Sequence, residues 1–351
     1  MVASAYAFGG RRPLFLRSGF GLPPVALDGV QMTYPNAAIA GASSLQVPLC
    51  PCCGAEKTSL SFEKGGCCYY GCRDCGVTFI FPWPDDEALQ KLYADYGRRY
   101  YSTDGLKDFL LSPKHYHREI GLLVRVTRVG ELLDVGCSVG GFVRAAGDLG
   151  YAAQGIDISP TSVLVGQQAG LKIRSGDFLV ADFPAKFDVV TMWATLEHLP
   201  DPNRYVKRAR ELLRPGGFLL ASVPNFSGIT QRLAGKRDRY VGTDHLNYWT
   251  ARGFAAYMTR SGFHVERTMT FGFNPITLAQ DWINRQAPPA CEQMAVEQKR
   301  SASIKDTWIG YAHHTVERML DLGRLGDCVA VAARVPDESE RSRKSSEIAE
   351  R

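Results

Sequence analysis

No stretch of this 351-residue chain comes near the roughly 20 consecutive apolar residues that a membrane-spanning helix needs. A soluble, cytoplasmic protein is expected. Charge of one sign is also scarce: 41 Lys and Arg against 36 Asp and Glu leave +5, far from the concentrated basicity of a dedicated nucleic-acid binder. Cysteine is nearly absent outside one stretch. Of ten, only Cys137, Cys291 and Cys328 lie beyond residues 50–75, which argues against a chain-wide disulfide framework and for metal. No internal repeat is visible. Acidic residues are missing before Asp28, where Arg11, Arg12 and Arg17 stand. That composition weakly resembles a transit peptide, but no amphipathic period or cleavage pattern accompanies it. A disordered leader, or a start assigned upstream of Met32, is the better reading.

What is present is an apolar fraction of 45%, enough for a large α/β domain with an appended module. The chain divides into a leader (1–46), a cysteine-rich module (47–82), a helical connector (83–114), an α/β domain (115–335) and a charged, solvated tail (336–351). Within the large domain, apolar runs alternate with helical patterns, the arrangement of a parallel sheet built through right-handed crossovers. The runs are LLDVG (132–136), AAQGIDI (152–158), LKIRS (171–175), FDVVTMW (187–193) and GFLLASV (217–223), with FHVERTMTF (263–271) and DCVAVAARV (327–335) as added edge strands. About seven strands result. Ser159-Pro160 is a good cap and first helical position. The helix in DPNRYVKRARELLRPGG should bury Tyr205, Ala209, Leu212 and Leu213 and stop at Pro215-Gly216-Gly217.

The run ELLDVGCSVGGF (131–142) passes from strand through a glycine turn into a helix. Dinucleotide folds begin the same way, but here Ser138 stands where their second glycine would be. Asp134 would place negative charge at the edge of a phosphate site; an ammonium would welcome it. S-adenosylmethionine has no phosphate and offers an ammonium, a sulfonium, ribose hydroxyls and an adenine edge. Asp134 can lie near the ammonium, while Gly136 and Gly140 allow close approach. Asp157, ending the second strand, can accept both ribose hydroxyls. Asp177 can accept from the adenine amino group, with Phe178 or Ile158 packing on the ring. Trp193 ends the fourth strand with its tip toward the cofactor. Each has a plainer alternative: Asp157 and Asp177 as caps or turn residues, Cys137 as a small buried residue, and Gly140-Gly141 as a close helix-to-sheet packing point.

The segments LLDVGCSVGGF, GIDIS, SGDF, FDVVTMWATLEHLPDP and LLRPGGFLLASVPN together resemble the class I S-adenosylmethionine-dependent methyltransferases, in particular the ubiquinone-type and small-molecule branch. The likeness spans about 115–335. It implies a Rossmann-like seven-stranded sheet and cofactor contacts at Asp134, Gly136, Gly140, Asp157, Asp177 and the backbone near Trp193. Ser138 departs from the family's glycine, which restricts its φ/ψ.

Two knuckles, CPCCG with Cys50 and Cys53 and CRDCG with Cys72 and Cys75, have zinc-ribbon spacing. Gly54 and Gly76 follow the second cysteine of each, where a positive φ is useful. Four thiolates close a tetrahedral site, so the Zn²⁺ should be structural; Cys52, Cys67 and Cys68 are spare. Many bacterial methyltransferases resemble this chain in carrying such a ribbon ahead of a segment like FPWPDDEALQKLYADYG. The ribbon can shape the acceptor site, contact a carrier, or merely stabilise the domain.

For a hydroxyl acceptor, His198 in LEHLPD is the first candidate base and His245 in DHLNYW the second; either can instead brace its loop. The 224–249 connection is too long for a plain link and reads, with 274–325, as an acceptor cap. Its basic middle, Arg232, Lys236, Arg237 and Arg239, reads as a solvated face ahead of a phosphate or carboxylate contact. The expected activity is O- or C-methylation of a small-molecule or carrier-linked biosynthetic intermediate. Two alternatives stand beside it: RNA methylation guided by the ribbon, disfavoured by scattered basic residues, and a non-catalytic S-adenosylmethionine-binding module.

Overall fold

The computed structural model describes residues 47–83, 111–238, 240–242, 244–273, 278, 315–316 and 318–337. The expected leader, most of the connector, Arg239, most of the 274–325 cap and nearly all of the tail lie outside the described residues.

Eleven strands are described, in two sheets. The small sheet contains β1 (Thr58–Lys64), β2 (Cys67–Cys72), β3 (Thr78–Phe81) and β9 (Asn247–Tyr248). The large one contains β4 (Glu131–Val135), β5 (Ala152–Asp157), β6 (Ile173–Ser175), β7 (Phe187–Trp193), β8 (Leu213–Pro224), β10 (His264–Phe271) and β11 (Cys328–Arg334), in the order β10-β11-β8-β7-β4-β5-β6. Strand β11 runs antiparallel to both neighbours, and the remaining pairs are parallel. The seven-stranded expectation therefore holds, with one reversed strand next to the edge.

Helices α1 (His117–Val126), α2 (Gly141–Gly147), α3 (Pro160–Gln168), α4 (Pro202–Leu212), α5 (Ile229–Ala234) and α6 (Ala251–Arg260) lie between strands among the described residues. Their starts follow from local chemistry. Ser159 accepts from the Ser162 N–H with Pro160 in the first turn, Asp201 accepts from the Arg204 N–H ahead of Pro202, and Thr250 accepts from the Gly253 N–H. Helix α4 buries Pro202, Val206, Ala209 and Leu212. Tyr205 is only partly covered, and Leu213 already belongs to β8, so the expected stop at Pro215-Gly216-Gly217 lies inside a strand.

Because helices cover both faces, the central strands are buried on both sides; β4 reads Glu-Leu-Leu-Asp-Val, with its last four residues buried. One face packs Leu122 and Leu123 of α1, Phe142 of α2 and Val163 of α3. The other packs Val206 and Ala209 of α4, Phe254 and Tyr257 of α6, and the module residues Cys50, Cys52, Cys72, Val77 and Phe79 in one continuous core. The fourth strand of the module's sheet, β9, comes from the 224–249 connection: Thr78 pairs with Tyr248 and Phe79 with Asn247.

Candidate functional site

The carboxyl ends of β7, β4 and β5 lie side by side, because the three are adjacent parallel strands. The turn after β4 is shaped by left-handed residues: Gly136 at φ 74°, Ser138 at φ 51° and Gly140 at φ 83°. A Cβ at Gly136 would stand 2.6 Å from Thr195 Oγ1, and one at Gly140 would stand 2.9 Å from Leu171 Cδ1. Only glycine fits both the angle and the space. Ser138 holds the same conformation with a side chain, at a strain of about 1 kcal/mol. Its N–H donates to Asp157 Oδ2 at 2.8 Å, and the Ser159 N–H donates to Oδ1 at 2.8 Å. The acid at the end of β5 is therefore clamped to the glycine turn on one side and to the start of α3 on the other. Burial raises its pKa, against the lowering by those two N–H donors.

Asp134 is 3% exposed and accepts from Thr191 Oγ1 at 2.6 Å. Burial pushes its carboxyl up to about 7, with the Thr191 bond opposing and the charge of Asp157 assisting. Cys137 is buried, as a small core residue should be. Asp177 accepts the Leu179 N–H on Oδ1 at 2.8 Å, a turn role compatible with a further contact. Phe178 corrects an expectation: it is 3% exposed, and its ring packs against Phe183 and Tyr205 in the core. Ile158, 51% exposed, remains as the apolar cover for a ring. Trp193 packs edge-on against Phe142 at 5.2 Å, and its indole N–H is buried without an acceptor among the described residues.

Beyond β7, Ala194 turns at φ 47° and Thr195 donates to the Val135 carbonyl at 3.2 Å, laying the next turn over Gly136. That turn, Leu196–His198, carries the first candidate base. His198 and His245, 47 positions apart in the chain, meet with ring centroids 4.8 Å apart. His198 Nδ1 lies 2.7 Å from the Asp244 carbonyl, and His245 Nδ1 lies 3.0 Å from the Tyr240 carbonyl. A carbonyl only accepts, so each Nδ1 carries the proton and each neutral ring keeps its lone pair on Nε2. Sequence reasoning missed Glu197, which is 1% exposed. Its Oε1 lies 3.9 Å from His198 Nε2, and its Oε2 has no partner among the described residues. Burial raises it to about 7, opposed by His198. The ligand atoms of Glu197, His198 and His245 all lie within 4.8 Å of one another.

In the cysteine module, the sulfurs of Cys50, Cys53, Cys72 and Cys75 also lie within 4.8 Å of one another, with Cys50–Cys75 at 3.5 Å and Cys53–Cys72 at 3.6 Å. Tetrahedral Zn–S bonds of about 2.3 Å would place sulfurs about 3.8 Å apart. Gly54 and Gly76 adopt φ 72° and 74°, returning their N–H groups to the Cys50 and Cys72 carbonyls. Cys52 is buried beside the cluster.

A model of the methyltransferase domain matches residues 98–268. The ubiquinone biosynthesis O-methyltransferase of Xanthomonas campestris pv. campestris is 30% identical over 171 residues, which cover 44% of this chain and 70% of that relative. The chain belongs to the class I S-adenosylmethionine-dependent methyltransferases. The enzyme of the same name from Xanthomonas euvesicatoria pv. vesicatoria is 28% identical over 212 residues, covering 55% of this chain and 84% of the relative. The N-methyltransferase NodS of Bradyrhizobium japonicum WM9, solved with S-adenosyl-L-homocysteine, has a TM-score of 0.43 at 14% identity, over 70% of this chain and 99% of that one. No helix among the described residues is long and apolar enough to cross a membrane.

The residues of this methyltransferase suit its methyl donor. A buried carboxylate with one side-chain donor at Asp134 and a clamped acid at Asp157 present negative charge where a phosphate cofactor would be repelled. The elevated Asp134 gives a pH prediction. Below pH 7 the carboxyl is largely protonated and cannot pair with an ammonium, so binding must release a proton. S-adenosylmethionine affinity should tighten by up to about tenfold from pH 6 to pH 7.5. Calorimetry in buffers of different ionisation enthalpy should detect the released proton, and Asp134→Asn should flatten the profile. A flat wild-type profile would contradict the assignment.

Proposed function

We propose that this methyltransferase acts on a small-molecule or carrier-linked biosynthetic intermediate, with a hydroxyl as the favoured acceptor. The observation that carries this reading is the paired histidines, each with Nδ1–H fixed on a backbone carbonyl and Nε2 left as the basic atom, next to the turn that overlies Gly136. The O-methyltransferase names of the relatives agree with it.

S-adenosylmethionine, when bound, supplies a methyl already activated on a sulfonium. The chain's task is to hold, orient and dry. Asp134 would pair with the ammonium, Asp157 with the ribose hydroxyls, Asp177 with the adenine amino group, and Ile158 would cover the ring. Phe178 has no place in that set. Trp193 and Phe142 wall the crevice at the end of β7. His198 is the first candidate to take the acceptor proton at Nε2, with Glu197 beside it balancing the imidazolium charge, and His245 packed against the ring. The basic segment Arg232, Lys236 and Arg237 is exposed and is read as a solvated face.

The cysteine module is read as a structural zinc ribbon with Cys50, Cys53, Cys72 and Cys75 as ligands. Support comes from sulfur spacing close to the tetrahedral value. The four thiols fill the coordination shell, so the ion would have no open position for chemistry.

His198→Gln is expected to lower kcat by about 10²–10³ while leaving S-adenosylmethionine affinity within twofold. A variant that keeps its rate would remove His198 from the chemistry. The class of acceptor is tested by transferring labelled methyl from S-adenosylmethionine into a cell extract, with and without ribonuclease. Label should appear in a ribonuclease-resistant small-molecule or carrier fraction. Ribonuclease-sensitive label would point to RNA, and no label despite cofactor binding would point to a non-catalytic module.

A further inference from the structure

The cysteine module touches the rest of the chain on two sides. On one, its knuckle residues and Phe79 share the core with Trp249, Phe254 and Tyr257. On the other it grips the segment 238–248. Lys64 Nζ donates to the carbonyls of Asp238, at 3.1 Å, and Val241. The Tyr69 hydroxyl donates to the Gly242 carbonyl at 3.3 Å, and the Ile80 N–H donates to the Leu246 carbonyl at 2.9 Å. Thr78 and Phe79 pair with Tyr248 and Asn247. Tyr69, Ile80, Val241 and Tyr248 close an apolar cluster over these bonds.

The same segment holds both histidines. The Tyr240 carbonyl fixes His245, the Asp244 carbonyl fixes His198, and the Leu246 N–H donates to the Glu197 carbonyl at 2.6 Å. These acceptors, at 240 and 244, lie between the points the module grips at 238, 241, 242 and 246. By contrast, the described partners of Asp134 and Asp157 come from β7 and from the turns after β4 and β5. The described bonds of the module therefore reach the segment that carries the acceptors of both histidines.

We propose that the cysteine module positions the acceptor-side histidines: Lys64, Tyr69 and β3 fix the 238–248 segment, whose carbonyls then set the tautomer and orientation of His198 and His245. The proposal rests on reading these histidines as acceptor-side groups. The Nδ1–H···O=C bond of each ring decides which nitrogen carries the proton and helps set where the ring points. A misplacement of about 1 Å at such a site costs about a hundredfold in rate. Cys75 stands three residues before Thr78, whose partner Tyr248 stands three residues after His245, so the thiol cluster and the base are joined by one short strand pair. Lys64 and Tyr69 are positioning residues in this scheme and touch no reacting atom.

The test needs no known acceptor. In the full-length, metal-loaded protein, the histidine rings are isotope-labelled, their NMR signals are assigned with His198→Gln and His245→Gln, and S-adenosyl-L-homocysteine binding is measured by calorimetry. Lys64→Met and Tyr69→Phe should each displace the His198 and His245 signals. His115, His117 and His264 should keep theirs, and S-adenosyl-L-homocysteine affinity should stay within twofold. Removing metal with a chelator should reproduce the pattern. Unmoved His198 and His245 signals in both variants would overturn the proposal. So would a shift of all five histidines with loss of cofactor affinity, because the module would then be a general stabiliser. Displaced rings together with undiminished methyl transfer by His198→Gln would refute the base assignment and leave the positioning role standing.

Discussion

Asp157→Ala is expected to weaken S-adenosylmethionine binding by about a hundredfold or more, on the order of 3 kcal/mol. Two losses add. The proposed ribose contacts would disappear, and the N–H groups of Ser138 and Ser159 lose the carboxylate that each meets at 2.8 Å. Ser138 sits at φ 51°, a conformation its side chain disfavours, and the bond to Asp157 helps hold it there. Without it the glycine turn should relax. Asp157→Asn, which keeps one acceptor oxygen, should lose less, about tenfold. Calorimetric titration of each variant with S-adenosylmethionine decides the matter; a change below threefold for Asp157→Ala would remove this residue from the cofactor site.

The largest effect on stability is expected from Cys72→Ser. Cys72 ends β2, is buried, and belongs to both the sulfur cluster and the core shared with α6. A hydroxyl is a poor zinc ligand, and structural zinc contributes about 10–16 kcal/mol of binding free energy in isolated fingers. Bound zinc should fall from about one equivalent to a small fraction, and the melting temperature should drop by roughly 10 °C. Elemental analysis of protein purified without chelator, together with calorimetric melting, gives both numbers. Wild-type protein without zinc would end the ribbon reading. A Cys72→Ser protein that retained its zinc would mean that Cys52, Cys67 or Cys68 takes the vacant position.

Strand β7 matches its expected range, and β10 and β11 lie within one residue of theirs, because β7 and β11 are apolar runs and the expected β10 range is bounded by Gly262 and Gly272. The start of β8 was not legible. Pro215-Gly216-Gly217 reads as a break, yet the strand runs from Leu213 through it, with a register shift between Phe187 and Val189 and Gly216 at φ 76°. Proline and glycine inside a strand mark a bulge as readily as an end. In the site, the placement of Asp134, Asp157 and the glycines was legible because it follows from the strand ends and the turn between strand and helix. Glu197 was not: beside His198 it looks like a surface turn, and the one hint is that Leu196 and Leu199 flank the pair with apolar side chains that are both buried. Phe178 misled for the opposite reason. Its partners, Phe183 and Tyr205, sit on a loop and a helix whose approach no local pattern records. The pairing of His198 with His245, and of β3 with β9, depends on contacts that only the finished fold creates.

The β3–β9 pairing also imposes an order in time. Phe79 and its partner Asn247 are 168 positions apart, so at about 5–20 residues per second the ribosome makes the second about 10–30 s after the first. Throughout that interval the outer edge of Thr-Phe-Ile-Phe in β3 waits without a neighbour, the kind of apolar edge to which other chains adhere. Strands β4 to β8, which frame the cofactor crevice, are all complete before β9 is made. The nascent chain can thus assemble the glycine turn and its clamped acid first, and the segment that fixes the paired histidines is seated only when the late strand reaches the waiting edge.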